Sequence, residues 1–378
     1  MLVNTIFGGL AGLSLVLLVW QWVVARRFPL HQRVPLHSFP PAVTLLKPVK
    51  GCDRETENCL RSWLAQDYPG RVQLLFGVAS GDDPVCDVIR ELLAEFPRAD
   101  ARLVVCGPLT GANAKVAKLA QLEPLALHDL LIISDADVRV PADFLSNIVS
   151  PLHDPKVGLV NCFYRLANPA TAAMRWEALA INADFWSQVL QSVSLKPMDF
   201  ALGAVMTVRR KQLAEIGGFA ALADCLADDY QLGNRIARRG HRIALPPVVV
   251  ECWEGPQTWA AVWKHQVRWA RTIRVCQPVP YFFSILSNAT LWPLAWLIAN
   301  PNLPVLGVLV GCALFRIVTA ADLMKRLTLQ PVRLGDAFLA PLKDLSHFLI
   351  WLQAFMGNRV EWRGQKLKLR GDGTLVRD

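Results

Sequence analysis

Three pairs of closely spaced aspartates are the residues of this sequence that could do chemistry: Asp82 and Asp83, Asp135 and Asp137, and Asp228 and Asp229. Neighbouring carboxylates can hold a hard divalent cation such as Mg²⁺ or Mn²⁺, or take a proton from a substrate. A cation held by so few carboxylates needs further oxygen ligands, which the diphosphate of a nucleotide would supply. An isolated Asp-x-Asp is weak evidence, so the elements around the pairs decide their meaning.

Those elements predict an α/β fold. Short apolar runs, among them "AVTLLKPV", "VQLLFGVA", "ARLVVC" and "LLIIS", alternate with helical stretches such as "VCDVIRELLAEF". This alternation is typical of a mainly parallel sheet with helices on both faces, which binds ligands at the carboxyl ends of its strands. Two of the acid pairs directly follow such strands. The third, at Asp228 and Asp229, begins an amphipathic helix, where acids are also stabilised by the helix dipole alone.

The composition indicates a membrane protein rather than a nucleic-acid-binding one. The chain has 378 residues, 53% hydrophobic content, 13 Trp and a mean hydropathy of +0.30. The net charge of +9 fits anionic lipid or a phosphorylated substrate; because no basic motif interleaved with aromatic residues occurs, nucleic acid is not expected as a partner. Nine cysteines without a C-x-x-C pair argue against a disulfide framework and a zinc site and favour a reducing compartment.

Hydropathy divides the chain into membrane and soluble parts. Residues 1–27 predict an uncleaved transmembrane anchor, and the arginines at its end place the following region in the cytoplasm. A proline-rich linker then leads to the remaining segments, which are a catalytic domain over 41–255, an amphipathic interfacial helix over 256–280, two transmembrane helices over 281–321, and an interfacial or re-entrant helix with a basic tail over 336–378. The prediction is a multi-pass membrane protein, with a bacterial inner membrane as the expected location.

The order of the motifs resembles the ceramide glucosyltransferase family of membrane-bound, inverting glycosyltransferases. The similarity runs from about Pro41 to the C-terminal "EWRGQKLKLRGDGT" and is carried by "LLKPVKGCD", "QDYP", "GDDPVCDVI", "GANAKV", "DADVRV", "KVGLV", "GGF", "ADDYQLG" and "QVRWAR". The resemblance implies a GT-A-like domain that binds a UDP-sugar with a divalent cation, magnesium or manganese, and moves the sugar, glucose first of all, to a ceramide-like membrane lipid.

The resemblance also implies roles for residues on the donor side. Asp82 and Asp83 would hold the uridine part of the UDP-sugar, and Asn113 and Lys115 match a nucleotide-side motif. Lys118 stands where an asparagine is common in that motif. The second acidic position falls on Asp135, which with Asp137 would form a metal-binding pair on the diphosphate.

On the acceptor side, the resemblance implies that Asp229 is the general base, with Asp228 as its neighbour. Two close carboxylates resist joint ionisation, so Asp228 should raise the proton affinity of the pair. Arg268 and Trp269 match the end of a Gln/Arg-x-x-Arg-Trp motif that contacts diphosphate and acceptor. The first position of that motif is His265 in this chain.

Several alternatives stay open at this point. The same acids would serve a relative that transfers N-acetylglucosamine to a hopanoid lipid. A processive polysaccharide synthase would need more membrane helices than the two or three C-terminal segments seen here. An inactive membrane scaffold should have lost an acid, and none of the expected acids is missing. No G-x-G-x-x-G follows an early strand, which gives an NAD-dependent oxidoreductase little support.

Overall fold

The computed structural model describes residues 2–34, 39–362 and 365–377. Residues 35–38 of the predicted linker and Arg363 of the predicted basic tail lie outside the described residues. The strands are β1 (Val43–Pro48), β2 (Val72–Val78), β3 (Asp100–Val105), β4 (Leu130–Ser134), β5 (Val138–Arg139), β6 (Val157–Asn161), β7 (Phe163–Leu166), β8 (Val205–Arg209), β9 (Arg242–Ala244), β10 (Val249–Cys252), β11 (Arg359–Trp362), β12 (Gln365–Leu369) and β13 (Leu375–Arg377).

The helices are interleaved with these strands up to β10 and then form a largely continuous α-helical block. They are α1 (Leu2–Arg27), α2 (Thr56–Leu64), α3 (Val85–Glu95), α4 (Ala114–Leu122), α5 (Phe144–Val149), α6 (Ala172–Leu179), α7 (Trp186–Val193), α8 (Arg210–Glu215), α9 (Asp228–Arg238), α10 (Trp259–Cys276), α11 (Pro278–Phe283), α12 (Leu291–Ala299), α13 (Leu303–Thr328), α14 (Leu334–Phe338) and α15 (Ala340–Phe355).

The predicted mainly parallel sheet is confirmed. Among the described residues, seven strands form the central sheet in the order β3-β2-β1-β4-β8-β6-β9, and only β8 runs antiparallel to its two neighbours. Alternate side chains of β4 enter two separate cores, with Leu131 and Ile133 on one face and Leu130 and Ile132 on the other. Helices α4, α7 and α9 cover the first face, whereas α2, α3 and α5 cover the second. This double covering explains why the strands read as unbroken apolar runs.

Two helices are long and apolar enough to cross a membrane within the described part of the chain, α1 and α13, each of 26 residues with mean hydropathy 2.1. At 1.5 Å per residue each is about 39 Å long, more than the hydrocarbon core of a bilayer. Asn302 caps α13 by accepting the backbone N–H of Val305 at 3.0 Å. Both helices also enter the core of the α/β domain, through Ala25 of α1 and Leu323 of α13.

The first of the two predicted C-terminal membrane segments is a broken helix. Helix α11, with the 3₁₀ turn Ser284–Ser287, meets α12 at a bend of 59°. Asn288 produces the break, because its Oδ1 accepts the backbone N–H groups of Thr290 and Leu291 and so starts a new helix. At the far end, Asn300 donates to Asn4 Oδ1 at 2.6 Å. The bent pair therefore runs back to the residues that begin α1.

The last strands form a small antiparallel sheet, β11-β12-β13, that packs on the catalytic domain. This small sheet contacts the segment that leads into α9. Leu375 donates its backbone N–H to Asp224 O at 2.7 Å, and Leu226 donates to Gly373 O at 3.3 Å. Leu226 also shares a buried apolar cluster with Leu367 of β12. The C-terminal region thus supports the backbone immediately before Asp228.

Candidate active site

Lys115 joins two of the predicted acid pairs at the carboxyl edge of the central sheet. Asp135 follows β4, and Asp228 begins α9. The Lys115 Nζ lies 2.7 Å from Asp135 Oδ1 and 3.2 Å from Asp228 Oδ2. Burial alone would lower the pKa of Lys115, but the two carboxylates outweigh it and hold that pKa above its ordinary value. One buried ammonium therefore neutralises acids that are far apart in the sequence.

Asn113 fixes the position of Lys115. Its side-chain oxygen accepts the backbone N–H groups of Lys115 and Val116 and caps α4. Its amide nitrogen donates to Cys225 O at 2.9 Å and to Asp228 Oδ1 at 3.2 Å. The side chain is thus engaged with the protein at both ends, and it holds the start of α4 against the start of α9. Its predicted contact with the nucleotide stays a prediction.

Asp229 is partly buried beside Gly203, and Gly203 lies on the segment that leads into β8. A Cβ atom at position 203 would lie 2.7 Å from Asp229 Oδ2, so a larger residue there would displace this carboxylate from its observed position. Burial, followed by the charge of Asp228, raises the pKa of Asp229 to about 6. The charge of Asp228 raises the pKa of Asp229, as expected, but burial is the larger cause of the shift. Asp229 Oδ1 accepts the backbone N–H of Tyr230 at 2.7 Å.

Asp137 lies close to Lys47, a buried lysine within "LLKPVKGCD" whose role was not predicted from the sequence. Burial, together with the charges of Asp135 and Glu254, raises the pKa of Asp137 to about 7. Beneath it, Lys47 of β1 donates to Asp135 O at 2.5 Å and to Ser134 Oγ at 3.1 Å. Burial lowers the pKa of Lys47 to about 8. The carboxylates of Asp135 and Asp137 therefore lie close to the buried ammonium group of Lys47 and to a further negative charge on Glu254.

Asp82 and Asp83 follow β2, at the same edge of the sheet but separated from β4 by β1. Two strand spacings amount to about 10 Å, so these acids lie beside the other pairs rather than among them. Asp83 accepts the backbone N–H of Gly51 at 3.0 Å and that of Val85 at 3.1 Å, which ties the loops after β1 and β2 together. Asp82 is exposed at the rim.

Helix α10 packs between α6 and α15. His265 Nδ1 lies 2.7 Å from Glu177 Oε1, and Gln266 donates to the same oxygen at 2.8 Å. The ring of Trp269 lies 4.7 Å from that of His265. Arg268 points to a different place, a cavity between α10, α15 and β11. Arg268 is close enough to lower the pKa of Glu254, which burial raises overall.

Three residues of the site were not predicted from the sequence, namely Lys47, Glu177 and Gly203. A lysine inside the apolar run "VTLLKP" is a visible anomaly and could have been noticed. Glu177, which is 1% exposed, looks like any helical glutamate in the sequence. Gly203 matters only because the fold brings it against Asp229.

No group of three or more His, Cys, Asp and Glu side chains that could hold a metal ion occurs in the described residues. Asp135 and Asp137 nevertheless fit a divalent cation that takes its other ligands from a diphosphate and water. The observation in favour is that burial and then the neighbouring charges of Asp135 and Glu254 raise the pKa of Asp137, so a cation beside these carboxylates would be stabilised. Both residues offer oxygen, the donor atom that such cations prefer.

The fold and the site define a glycosyltransferase of the GT-A type. The mannosyltransferase PcManGT from Pyrobaculum calidifontis, solved in complex with GDP-Man and Mn²⁺, has the same fold, with a TM-score of 0.53 and 22% sequence identity. The match covers 89% of this chain and 99% of that one. The profile described as glycosyl transferase family 21 matches residues 8–375. The chain therefore belongs to glycosyl transferase family 21.

Curated relatives confirm the resemblance to ceramide glucosyltransferases. Ceramide glucosyltransferase 3 of Caenorhabditis elegans is 26% identical over 222 residues, which are 58% of this chain and 48% of that protein. The ceramide glucosyltransferase of Komagataella phaffii is 32% identical over 161 residues, 39% of this chain and 31% of that protein. The chain thus spans less than half the length of both relatives.

Proposed function

We propose that the protein transfers a sugar, glucose first of all, from a UDP-sugar to the hydroxyl of a ceramide-like membrane lipid with inversion at the anomeric carbon. The observation that carries this proposal is the bridge from Lys115 to Asp135 and Asp228. It supports a single site in which the acid at the end of β4 faces the departing diphosphate while the acids of α9 face the acceptor. Two relatives that are named ceramide glucosyltransferases support the choice of substrates.

The donor would lie along the carboxyl edge of the sheet. Asp82 and Asp83 mark the end nearer the nucleoside, and Asp135 and Asp137 mark the end nearer the diphosphate. A divalent cation on the latter pair would neutralise charge on the departing UDP. The Mn²⁺ and nucleotide sugar named with the PcManGT structure support such an ion. Lys115 binds the Asp135 carboxylate and Lys47 donates to the Asp135 backbone oxygen, so both lysines would hold this acid in place for the ion.

Asp229 would act as the general base. The acceptor hydroxyl gives its proton to the Asp229 carboxylate while its oxygen bonds to the anomeric carbon and the bond to the diphosphate oxygen breaks. A pKa of about 6 makes Asp229 a stronger base than an ordinary aspartate, yet leaves it mostly ionised near neutral pH. The Asp228 charge opposes a second negative charge nearby, which favours proton uptake by Asp229.

The membrane helices support a cytoplasmic catalytic domain. The C-terminal ends of α1 and α13 meet beside that domain, where Arg326 donates to Arg26 O at 2.9 Å. Basic residues at both helix ends favour a cytoplasmic location for this side by the positive-inside rule. Because α12 ends beside Asn4, the bent pair of α11 and α12 would supply a third crossing. The protein would then be multi-pass, with its site at the cytoplasmic surface.

The test uses membranes that contain the full chain, incubated in turn with UDP-glucose, UDP-galactose and UDP-N-acetylglucosamine, with mass spectrometry of the extracted lipids. We expect one hexose added to ceramide from UDP-glucose, and no product in membranes without the protein. N-acetylglucosamine on a hopanoid lipid would replace the proposed substrates. Repeated addition of sugar would favour a polymerising synthase, and no glycosylated lipid with any donor would overturn the proposal.

A further inference from the structure

A cavity of about 190 Å³ lies between the catalytic domain and the membrane helices. Residues from several separate elements line it, among them Gln21 of α1, Phe185 between α6 and α7, Trp269 of α10, Arg316 of α13 and His347 of α15. Phe185 ends a π-helical segment, Ala180–Phe185, that interrupts the run from α6 to α7. Such π-helical interruptions are frequent at functional sites.

One wall is a buried cluster of four charges. Arg316 binds Asp184 at 2.9 Å and Asp344 at 2.9 Å, and Lys343 pairs with both carboxylates as well. Arg316 lies within α13, one of the two helices long enough to span a membrane. Ionisable residues in such helices are costly and usually serve a function. Here two cations face two anions, so the cluster is balanced and offers no net charge to a ligand.

Two polar atoms at this wall lack a hydrogen-bond partner. Arg316 Nη1 and His347 Nε2 are buried and unpaired among the described residues. The Arg316 side chain is 4% exposed, and its other nitrogens are all used by Asp184 and Asp344. A buried donor left without a partner costs about 1–3 kcal/mol. A ligand oxygen in the cavity would remove that cost.

The cavity adjoins the candidate active site. Its Trp269 ring lies 4.7 Å from His265, which binds Glu177. Its Phe185 ring lies 5.5 Å from Tyr164. Tyr164 and Trp269 pack against the same apolar cluster, and the charges of Asp229 and Asp135 add to the burial that raises the pKa of Tyr164 well above its ordinary value. A molecule seated in the cavity would therefore reach toward Asp229.

We propose that this cavity binds the uncharged polar head of the acceptor lipid, with a carbonyl oxygen of that head on Arg316 Nη1 and His347 Nε2. This inference rests on the proposed function and names the part of the lipid that is recognised. A balanced charge cluster selects an uncharged head over a phosphate. The cavity volume suits a head group alone, so the acyl chains of the lipid would extend between the helices into the bilayer. An amide and an ester carbonyl share this chemistry.

The experiment measures acceptor kinetics of the purified full chain in mixed micelles with UDP-glucose. The acceptors are ceramide, which has an amide carbonyl, diacylglycerol, which has an ester carbonyl, and a long-chain 1,2-diol, which has none. His347→Phe should raise the apparent KM for the preferred carbonyl lipid by roughly 3- to 10-fold, the value of one hydrogen bond. The KM for UDP-glucose and the KM for the diol should not change. His347→Gln should restore part of the loss.

Controls separate this inference from the proposed function. His128→Phe changes a histidine before the amino end of β4, away from the site, and should behave as wild type. Arg316→Lys keeps the charge but removes the Nη1 donor, and should act in the same direction as His347→Phe. An unchanged acceptor KM in both variants, with sugar transfer intact, would overturn the inference.

A lipid-binding assay tests the cavity if the protein glycosylates no lipid. If no lipid is glycosylated by the wild type, the proposed function fails, and binding of a fluorescent ceramide in the absence of donor then tests the cavity. Weaker binding by His347→Phe than by wild type would support the cavity as a lipid site. Equal binding by the two proteins would overturn it.

Discussion

Lys115 Nζ lies 2.7 Å from Asp135 Oδ1 and 3.2 Å from Asp228 Oδ2, so a single side chain holds the end of β4 against the start of α9. Removing one partner of a buried ionic group leaves the others uncompensated, at a cost of about 3–5 kcal/mol. The 38% exposure of the Asp135 side chain reduces that figure. The relationship makes the stability of the site depend on one lysine.

We expect Lys115→Met to lower the free energy of unfolding by about 2–4 kcal/mol. Thermal unfolding of the detergent-solubilised chain measures the change. Mn²⁺ should restore part of the lost stability, because a divalent cation can replace the missing positive charge between the carboxylates. Lys156→Met, at an exposed position, is the matched control and should have little effect. A Lys115→Met protein as stable as the wild type would contradict the bridge.

Asp229→Asn should abolish sugar transfer and leave UDP affinity near that of the wild type, since the amide cannot take a proton. The same change should stabilise the protein at pH 8. The folded state raises the pKa of Asp229 from 3.8 to about 6, so its ionised form costs roughly 1–3 kcal/mol of stability. That penalty is fully present above pH 6 and fades as the pH falls toward 4. Melting temperatures of both proteins across this range check the sign, and normal turnover by the variant would exclude Asp229 as the base.

The pH profile of kcat should fall on the acid side with an apparent pKa near 6. Asp229 must be ionised to accept a proton, and its raised pKa means that protonation removes the active form as the pH drops below that value. The measurement is made at saturating UDP-glucose and divalent cation, with folding followed in parallel. A flat profile down to pH 5 in a folded protein would count against this role.

Gly203→Ala should lower kcat by roughly 10- to 100-fold, because a displacement of about 1 Å at a catalytic group can cost that much. The new methyl group would lie 2.7 Å from Asp229 Oδ2 and force the carboxylate to move. The affinity of the variant for UDP should equal that of the wild type. Gly107→Ala is the control, since its nearest new contact is 3.6 Å away. Equal activity of the two variants would show that the Asp229 position is not critical.

Asp137→Asn should weaken the metal-dependent part of UDP binding by at least tenfold, since even an outer-shell partner of a metal is typically worth 10- to 100-fold in affinity. Calorimetric titrations of UDP with and without Mn²⁺ separate that part from the rest. Binding without the metal should be nearly unchanged. Asp100→Asn, at an exposed position on the opposite edge of the sheet, supplies the comparison. If Mn²⁺ enhances UDP binding equally in both variants, Asp137 is not a ligand.

The sheet and the acids could be predicted because each depends on local pattern. Apolar runs that alternate with helices specify a mainly parallel sheet, and the carboxyl ends of such strands converge. The contacts that complete the site are not local. Gly203 meets Asp229, and Glu177 meets His265, only after the chain has folded.

The bend between α11 and α12 shows a second limit of sequence patterns. The two helices together are apolar enough to span a membrane, whereas the break between them comes from the side chain of Asn288, which accepts two backbone N–H groups. Its amide nitrogen also donates to Asp344 O at 2.8 Å, a partner on a distant helix. Hydropathy averaged over a window does not register one polar residue that caps a helix.

Within the described part of the chain, β13, whose Leu375 donates to Asp224 O, follows both helices that are long enough to span a membrane. A chain still on the ribosome would contain all the acids but lack β13, whose Leu375 holds the backbone four residues before Asp228. The loop that enters α9 can therefore form its final hydrogen bonds only after α13 has been synthesised.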